Sequence, residues 1–372
     1  MKFVIERAHL LKALGHVQSV VEKRGTIAVL ANVKIDAQGE NISFTATDMD
    51  IAIVEKVPGN IARNGITTIP AHMLYEIVRK LPDGAQIEIT ESDDGGKVSL
   101  RSGGSRFSLA CLPVEDFPVM AEGDLEYSFS LKAAECKALI DKPSFAMSNE
   151  ETRYYLNGIY FHTAGNGADK TLRAVATDGH RLARIEVAMP AGASGMPGVI
   201  VPRKVIYELK KLLAESESDV NISLSDSKIR FVVGSAVIVS KLIDGNFPDY
   251  ERVIPSGNDK ILEVDRKLFA QAVDRVSVIS SEKTRSVKLS AESGKLTLTA
   301  SSAEHGAATE ELDATYSAAP IEIGFNARYL LEMLTNIEGD TAQFLLNDGA
   351  SPALVRDSSD VSALYVIMPM RV

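Results

Sequence analysis

The sequence predicts an α+β fold made of three tandem copies of one domain, each with two helices on antiparallel sheet. Landmarks repeated in the same order carry that prediction. The first series is Ser43-Phe44-Thr45-Ala46-Thr47-Asp48, then Leu172-Arg173-Ala174-Val175-Ala176-Thr177-Asp178, then Leu296-Thr297-Leu298-Thr299-Ala300-Ser301. The second is Thr68-Ile69-Pro70, Ile200-Val201-Pro202 and Ile323-Gly324-Phe325-Asn326, each followed by apolar residues at helical spacing. Aligning Pro70, Pro202 and Asn326 gives spacings of 132 and 124 residues, and aligning Thr45, Val175 and Thr299 gives 130 and 124. A shared period this long denotes tandem domains with separate cores, since solenoid units run only about 20–50 residues.

Each copy opens with a short strand that runs into a helix. The three pairs are Phe3-Val4-Ile5 into 7–14, Phe129-Ser130-Leu131 into 133–140, and Leu262-Glu263-Val264 into 266–276. In the last, Leu268, Phe269, Ala272, Val273 and Val276 form a stripe at helical spacing. Alternating strands follow, as in Lys34-Ile35-Asp36 and Asn41-Ile42-Ser43-Phe44 with a turn at Gln38-Gly39. After the second helix come further strands around turn signals such as Asp93-Asp94-Gly95-Gly96. Each copy thus holds about eight short strands and two helices, with the helices on one face of the sheet. A third landmark closes the first two copies, where Leu112, Phe117 and Pro118 recur as Leu242, Phe247 and Pro248. The expected domains are 1–123, 124–257 and 258–372. The chain ends in Val366-Ile367-Met368-Pro369-Met370-Arg371-Val372, which reads either as a last core strand or as an adaptable apolar surface for partner peptides.

Composition sets the class. The 372 residues are 45% hydrophobic and 24% charged, the balance of an ordinary soluble chain. No apolar run approaches the ~20 residues of a membrane helix, and the N-terminus reads as strand and helix, so a cytoplasmic protein is expected. Cys111 and Cys136 fall in different copies and are expected to be reduced. The net charge of −10 is unevenly spread: the six predicted helices sum to +7, leaving −17 elsewhere. That contrast points to a helical surface that attracts phosphates and a sheet surface that does not. Twelve such helices from two chains, packed about 9 Å apart, would ring a hole of about 25 Å, wide enough for a duplex.

Asp178-Gly179-His180-Arg181 has the residue types of an acid–base cluster, but no nucleophile elbow, phosphate loop or metal-ligand spacing accompanies it. The matching position in the first copy, Asp48, is followed by Met49-Asp50 without a histidine, so no enzyme, metal or cofactor is expected.

Five motifs span the chain in order: Met1-Lys2-Phe3, Arg153-Tyr154-Tyr155-Leu156-Asn157-Gly158, Ala176-Thr177-Asp178-Gly179-His180-Arg181-Leu182, Phe247-Pro248-Asp249-Tyr250 and Met368-Pro369-Met370-Arg371. On these the chain closely resembles the bacterial DNA polymerase sliding clamps, the beta subunits of the replicative polymerase. The resemblance implies a DNA-clamp fold and a head-to-tail homodimeric ring of six domains. It implies sliding on duplex DNA without sequence readout and tethering of the polymerase. It also implies a peptide pocket between domains two and three, used by the polymerase, the clamp loader and repair factors. By motif, that pocket would take Arg153, Leu156, Thr177, Gly179, His180, Arg181 and Leu182, with Pro248, Arg252, Val253, Asn326 and Tyr329. The tail would add Val366, Ile367, Met368, Pro369, Met370 and Arg371. For double-stranded DNA the resemblance points to Arg24, Tyr154 and Tyr155, with Arg79, Lys204 and Lys211 in support. The dimer seam would pair Arg106, Phe107 and Leu109 with Val278, Ile279, Glu304, Glu310 and Glu311. The alternative is a protein-binding scaffold that does not encircle DNA.

Overall fold

The computed structural model describes residues 1–22, 25–121, 123–281 and 285–371. The first repeat runs β1 (Lys2–Glu6), α1 (Arg7–Val17), β2 (Asn32–Gln38), β3 (Asn41–Thr47), β4 (Ile51–Pro58) and β5 (Asn60–Arg63). It continues with β6 (Gly65–Pro70), α2 (Ala71–Lys80), β7 (Gln86–Glu91), β8 (Lys97–Ser102) and β9 (Ser105–Ala110). The second runs β10 (Tyr127–Leu131), α3 (Ala133–Ser144), β11 (Gly158–Ala164), β12 (Thr171–Thr177) and β13 (Arg181–Ala188). After these come β14 (Val199–Pro202), α4 (Arg203–Glu215), β15 (Val220–Leu224), β16 (Lys228–Val233) and β17 (Ala236–Lys241). The third runs β18 (Lys260–Asp265), α5 (Arg266–Ser277), β19 (Ser286–Glu292), β20 (Lys295–Ser302) and β21 (Gly306–Asp313). It ends with β22 (Ile321–Asn326), α6 (Ala327–Leu334), β23 (Thr341–Leu346), β24 (Ala353–Asp357) and β25 (Ala363–Ile367). Pro70, Pro202 and Asn326 each sit immediately before the second helix of a repeat, as their alignment requires.

Local chemistry explains the elements. Strand β1 alternates buried Phe3 and Ile5 with partly exposed neighbours, the period-two pattern of a half-buried strand. Helix α5 buries Phe269, Ala272, Val273 and Val276, and the Asp265 carboxylate caps it by accepting from the Leu268 N–H at 2.8 Å. Asn326 caps α6 in the same way, accepting from the Arg328 N–H at 3.0 Å. The predicted first helices were short at their C-termini: α1 extends to Val17 and α3 to Ser144, through Pro143. Cys136 is buried and Cys111 half-buried, and neither is bridged.

Every repeat contributes two four-stranded half-sheets. In the first they are β1-β7-β8-β9 and β6-β2-β3-β4, in the second β10-β15-β16-β17 and β14-β11-β12-β13, in the third β18-β23-β24-β25 and β22-β19-β20-β21. The strand β5 extends the first of these at β1. Half-sheets of neighbouring repeats then fuse. β17 pairs antiparallel with β4, Ala236 opposite Glu55 and Ser240 opposite Ile51. β25 pairs with β13, Ala363 opposite Ile185 and Ile367 opposite Arg181. Each fusion makes an eight-stranded sheet. Two compact units result: residues 1–136, 190–197 and 204–242 form one, and 137–189, 198–203 and 243–372 the other. The central repeat is thereby divided, one half-sheet in each unit. β9 remains an edge strand in the first unit and β21 in the second.

In the first unit a buried cluster lies across the β4–β17 fusion. His16 on α1 is bonded through Nδ1 to Glu55 of β4 at 2.8 Å and through Nε2 to Glu215 of α4 at 3.1 Å. Burial alone would favour the neutral ring, but the two carboxylates outweigh it and raise the His16 pKa above its ordinary value. A raised folded-state pKa contributes stability below pH 6.5, where the unfolded histidine is also protonated, and loses it as pH rises through the folded value. His16→Gln should therefore lower the urea-unfolding free energy by about 1–3 kcal/mol at pH 6 and by progressively less towards pH 9. An unchanged difference across that range would show that His16 acts by packing and not by charge.

Candidate functional site: a pocket beside a Thr-Asp turn

The site lies in the second unit and is built on the turn between β12 and β13. Thr177 Oγ1 donates to the Arg181 carbonyl at 2.7 Å and accepts from the Gly179 N–H at 3.1 Å. Asp178 Oδ1 accepts from the N–H groups of His180 and Arg181 at 2.9 and 3.0 Å. Gly179 holds φ +88°, and a Cβ there would approach Arg153 Nη1 to 2.6 Å, so a larger residue would strain the backbone and displace the tip of the Arg153 side chain. The turn at Thr47–Ile51 repeats these bonds, with Asp48 Oδ1 accepting from Asp50 and Ile51 at 2.9 Å, and Met49 at φ +77° where Gly179 stands. The Thr-Asp pair is thus a turn-forming device. Asp178 spends one oxygen on the backbone and the other on Arg181 Nε at 3.1 Å, and it makes no side-chain pair with His180 among the described residues.

Arg181 fixes the wall of the site. Its side chain is only 8% exposed. The guanidinium lies between the rings of Phe145 and Tyr329, 5.0 and 4.4 Å from their centroids. It donates to the Phe145 carbonyl at 2.6 Å and meets Glu332 at 2.5 Å. Burial works against ionising Glu332, but hydrogen bonds from Arg328 and Arg181 prevail and hold its carboxyl below the ordinary range. Burial pushes the neighbouring Tyr329 hydroxyl up. His180 stacks on the Tyr329 ring at 6.2 Å.

Beside this wall is a cavity of about 200 Å³ lined by Leu156, Thr177, Gly179, Arg181, Leu182, Pro248, Asp249, Tyr250, Val253, Val366 and Met368. Its floor is a buried cluster of Val175, Leu182, Tyr250 and Val366, with Tyr160, Phe247, Ile254 and Leu364 packed against it. The Tyr250 hydroxyl is held at 2.9 Å from His162 Nε2 and 3.3 Å from Arg173. Such a concave, mostly apolar surface with a few fixed polar groups suits a short peptide with an apolar anchor.

Nine of the candidate pocket residues line this cavity, and the rest are placed otherwise. Ile367 is 1% exposed and faces the core, because alternation along β25 turns it away from its neighbour Met368. Arg153 is clamped to Glu150 at 2.8 Å and flanks Gly179. Arg252 stands in solvent, paired with Asp249 at 2.7 Å. Asn326 is committed to its cap. The tail is pinned: the Met368 N–H donates to the His180 carbonyl at 2.9 Å and the Met370 N–H to the Gly324 carbonyl at 2.8 Å. The terminus is thus divided, with Val366 and Ile367 in a core strand and Met368 42% exposed at the cavity. Asp249 and Tyr250 are cavity residues that the sequence reading quoted in a motif but did not assign.

The other candidates are scattered over both units. Arg24 lies outside the described residues. Lys204 is bonded to Asp48 at 2.5 Å and to the Val20 carbonyl at 3.0 Å, and Lys211 to Glu208 at 2.9 Å. Both are therefore already shared with carboxylates. Arg79 is paired with Glu76 at 2.8 Å on an exposed helix face. Tyr154 is half-exposed, in edge contact with Tyr155 at 5.8 Å. On β9, Arg106 is exposed and Phe107 partly so, whereas Leu109 is 6% exposed and belongs to its own core. Val278 and Glu304 are exposed and Ile279 is half-buried. Glu310 is paired with Arg275, and Glu311 with Lys295 at 3.2 Å.

Three family models match in sequence: the DNA polymerase III beta subunit N-terminal domain over residues 1–121, the central domain over 130–249 and the C-terminal domain over 251–371. The beta sliding clamp of Caulobacter vibrioides is 53% identical over 372 residues, and that of Escherichia coli K12 41% over 374, each covering the whole of both chains. Among solved structures, a DnaN sliding clamp from Bartonella birtlesii bound to griselimycin is 49% identical with a TM-score of 0.97, covering all of both chains. A Caulobacter crescentus clamp with polyethylene glycol bound to its putative beta-motif tethering region gives 53% and 0.97, covering all of this chain and 99% of that one.

Removing Arg181 would leave two carboxylates and two aromatic rings around a vacated buried charge. Arg181→Ala is expected to cost about 3–5 kcal/mol in urea unfolding. Met368→Ala, at an exposed rim, should change stability by no more than about 0.5 kcal/mol. Equal effects of the two would contradict the division between wall and rim.

Proposed function

The chain belongs to the DNA polymerase III beta subunit family, and from that premise we propose a nonenzymatic sliding clamp that closes around duplex DNA as a homodimer. It confers processivity on the replicative polymerase by tethering it. The observation that carries the ring is the pair of unused edges: the rule that fuses repeat one to two and two to three leaves β9 and β21 without partners. A second copy supplies each with the other, two chains closing six domains head to tail. We take the domains as 1–123, 124–257 and 258–372.

The observed fusions also give the register. Ala52, Leu182 and Ala307 occupy equivalent places, since each faces the Thr47, Thr177 or Ser301 position across its hairpin. Ala236 and Ser105 are likewise equivalent, each the first residue after its two-residue turn. Carrying the β4–β17 register to the seam sets Ser105 opposite Glu310, Arg106 opposite Thr309, Phe107 opposite Ala308 and Ser108 opposite Ala307. Burial agrees in phase: Ser105 and Phe107 are the more buried side of β9, as Ala308 and Glu310 are of β21. Arg106 then lies diagonal to Glu311 on the exposed face, a favourable cross-strand charge pair.

The pocket beside the Thr177 turn takes short apolar motifs of the polymerase, the clamp loader and other polymerases and repair factors. The DNA contacts fall on phosphates, from the half-exposed Tyr154 and from cations already shared with carboxylates, so each is weak and none reads sequence. Acting on DNA in this way places the protein in the cytoplasm.

Two experiments test the reading. Loaded clamp should stay on closed circular DNA through gel filtration and be lost when the circle is cut; equal retention on both forms would favour the scaffold that does not encircle DNA. Ser108→Cys with Ala307→Cys in one chain should yield a covalently closed dimer on mild oxidation, and each single variant should not. A dimer that fails to crosslink would refute the register.

A further inference from the structure

The fusions are marked by side chains as well as by strands. The tenth residue of each opening helix is a cation or a histidine: His16 in α1, Lys142 in α3 and Arg275 in α5. At the first fusion His16 is held by Glu55 of its own repeat and by Glu215 of the next. At the second, Lys142 meets Asp360 at 2.8 Å and Glu338 at 3.9 Å, both from the next repeat. Lys142 in turn helps to draw the Asp360 carboxyl down to about 2 against the effect of its burial.

In the third repeat the same position is half satisfied. Glu310 occupies the place of Glu55, and Arg275 is bonded to it through Nε at 3.1 Å and through Nη2. Those bonds use one edge of the guanidinium. The Nη1 edge has no hydrogen bond among the described residues, and the side chain is 57% exposed. Among the described residues no second carboxylate pairs with it. The position equivalent to Glu215 in the first repeat is Asp83, found by the same 132-residue step that relates Pro202 to Pro70. Asp83 is almost fully exposed, with only a surface ion pair to Arg7. Arg7 also donates to the Val78 and Arg79 carbonyls at 3.0 and 2.8 Å and does not depend on Asp83 for its place.

We propose that Asp83 of a second copy completes the Arg275–Glu310 pair, so that the seam between chains carries the same acid–cation–acid clamp as the first fusion within a chain. This rests on the ring reading and adds a specific recognition contact to it. The contact lies beside the strand seam: Glu310 faces Ser105 in the derived register, and Asp83 precedes β7, two strands from β9. Arginine suits this position better than the other two cations, because its fork binds a carboxylate on each of two edges. A contact of this kind favours one partner surface over others and responds to salt, more than it adds to raw affinity.

The test is a double-mutant cycle on the full chain, reading the dimer dissociation constant by sedimentation at low salt. Arg275→Ala and Asp83→Ala should each weaken the dimer about five- to tenfold, and the double variant no more than the worse single. Both effects should fade at high salt. Single effects that multiply in the double variant, or an Asp83→Ala dimer as tight as wild type, would overturn the contact. A wild-type chain that is monomeric at micromolar concentration would instead sink the ring reading itself, so the two failures are told apart. Urea unfolding of each single variant, at a concentration low enough that the chain is monomeric, should match wild type, because both side chains are exposed in one copy.

Discussion

Backbone pairing across the repeat boundaries is the constraint on which the rest of this structure depends. A repeat alone would leave strand edges on both of its half-sheets, and an unpaired edge is a row of unsatisfied donors and acceptors. Pairing β17 with β4 and β25 with β13 removes four edges at once. It also explains why the compact units cut through the central repeat: each of its half-sheets shares a continuous ladder with a different neighbour. The covalent repeat and the cooperative sheet are therefore out of phase by half a domain, and sheet continuity decides what is compact.

The pocket is a by-product of one such fusion. Because Arg181 stands opposite Ile367 and Leu182 opposite Val366, the Thr177 turn is held beside the last strand and Met368 is delivered to its rim. The first fusion has the same turn with the same bonds, yet its chemistry differs. Ile51, 2% exposed, replaces the buried Arg181, and Met49 replaces Gly179. One scaffold has thus been kept for its hydrogen bonds while a few side chains differ between the copies. Arg181 matters most here, since a buried guanidinium gripped by two carboxylates and two rings has little freedom to move the wall.

What the sequence disclosed and what it hid follow from the range of each interaction. The repeats, the helices and most strands were legible, because alternation, helical stripes and the Pro70, Pro202 and Asn326 positions are local signals. Asn326, used only as a landmark, proves to be the cap of α6. The fusions could not be read: β4 and β17 lie more than 170 residues apart, and both look like ordinary half-buried strands. Counting charge found cations on helices but not that Asp48 neutralises Lys204, since that carboxylate comes from a turn that tertiary packing brings near; the Lys211–Glu208 pair is local, three residues apart on α4, and a net count hides it. Asp178 looked like chemistry and proved to be a turn. Ile367 and Met368 differ only in which side of one strand they occupy, a distinction that needs the register of β25.

The paired state of those helix cations bears on what a clamp must do. A free lysine on a phosphate-lined surface releases counterions and binds with strong salt dependence, and many together would hold the duplex in place. A lysine already shared with a carboxylate offers a phosphate only what remains after that partner is displaced or left beside it. The contact is weaker, and the cost of leaving one phosphate for the next is smaller. Topology can then supply retention while the surface supplies little friction. The same division of labour is seen at the fusions, where strand pairing provides the strength and His16 and Lys142 provide the match, so that a weak electrostatic surface and a strong mechanical frame are built from different atoms.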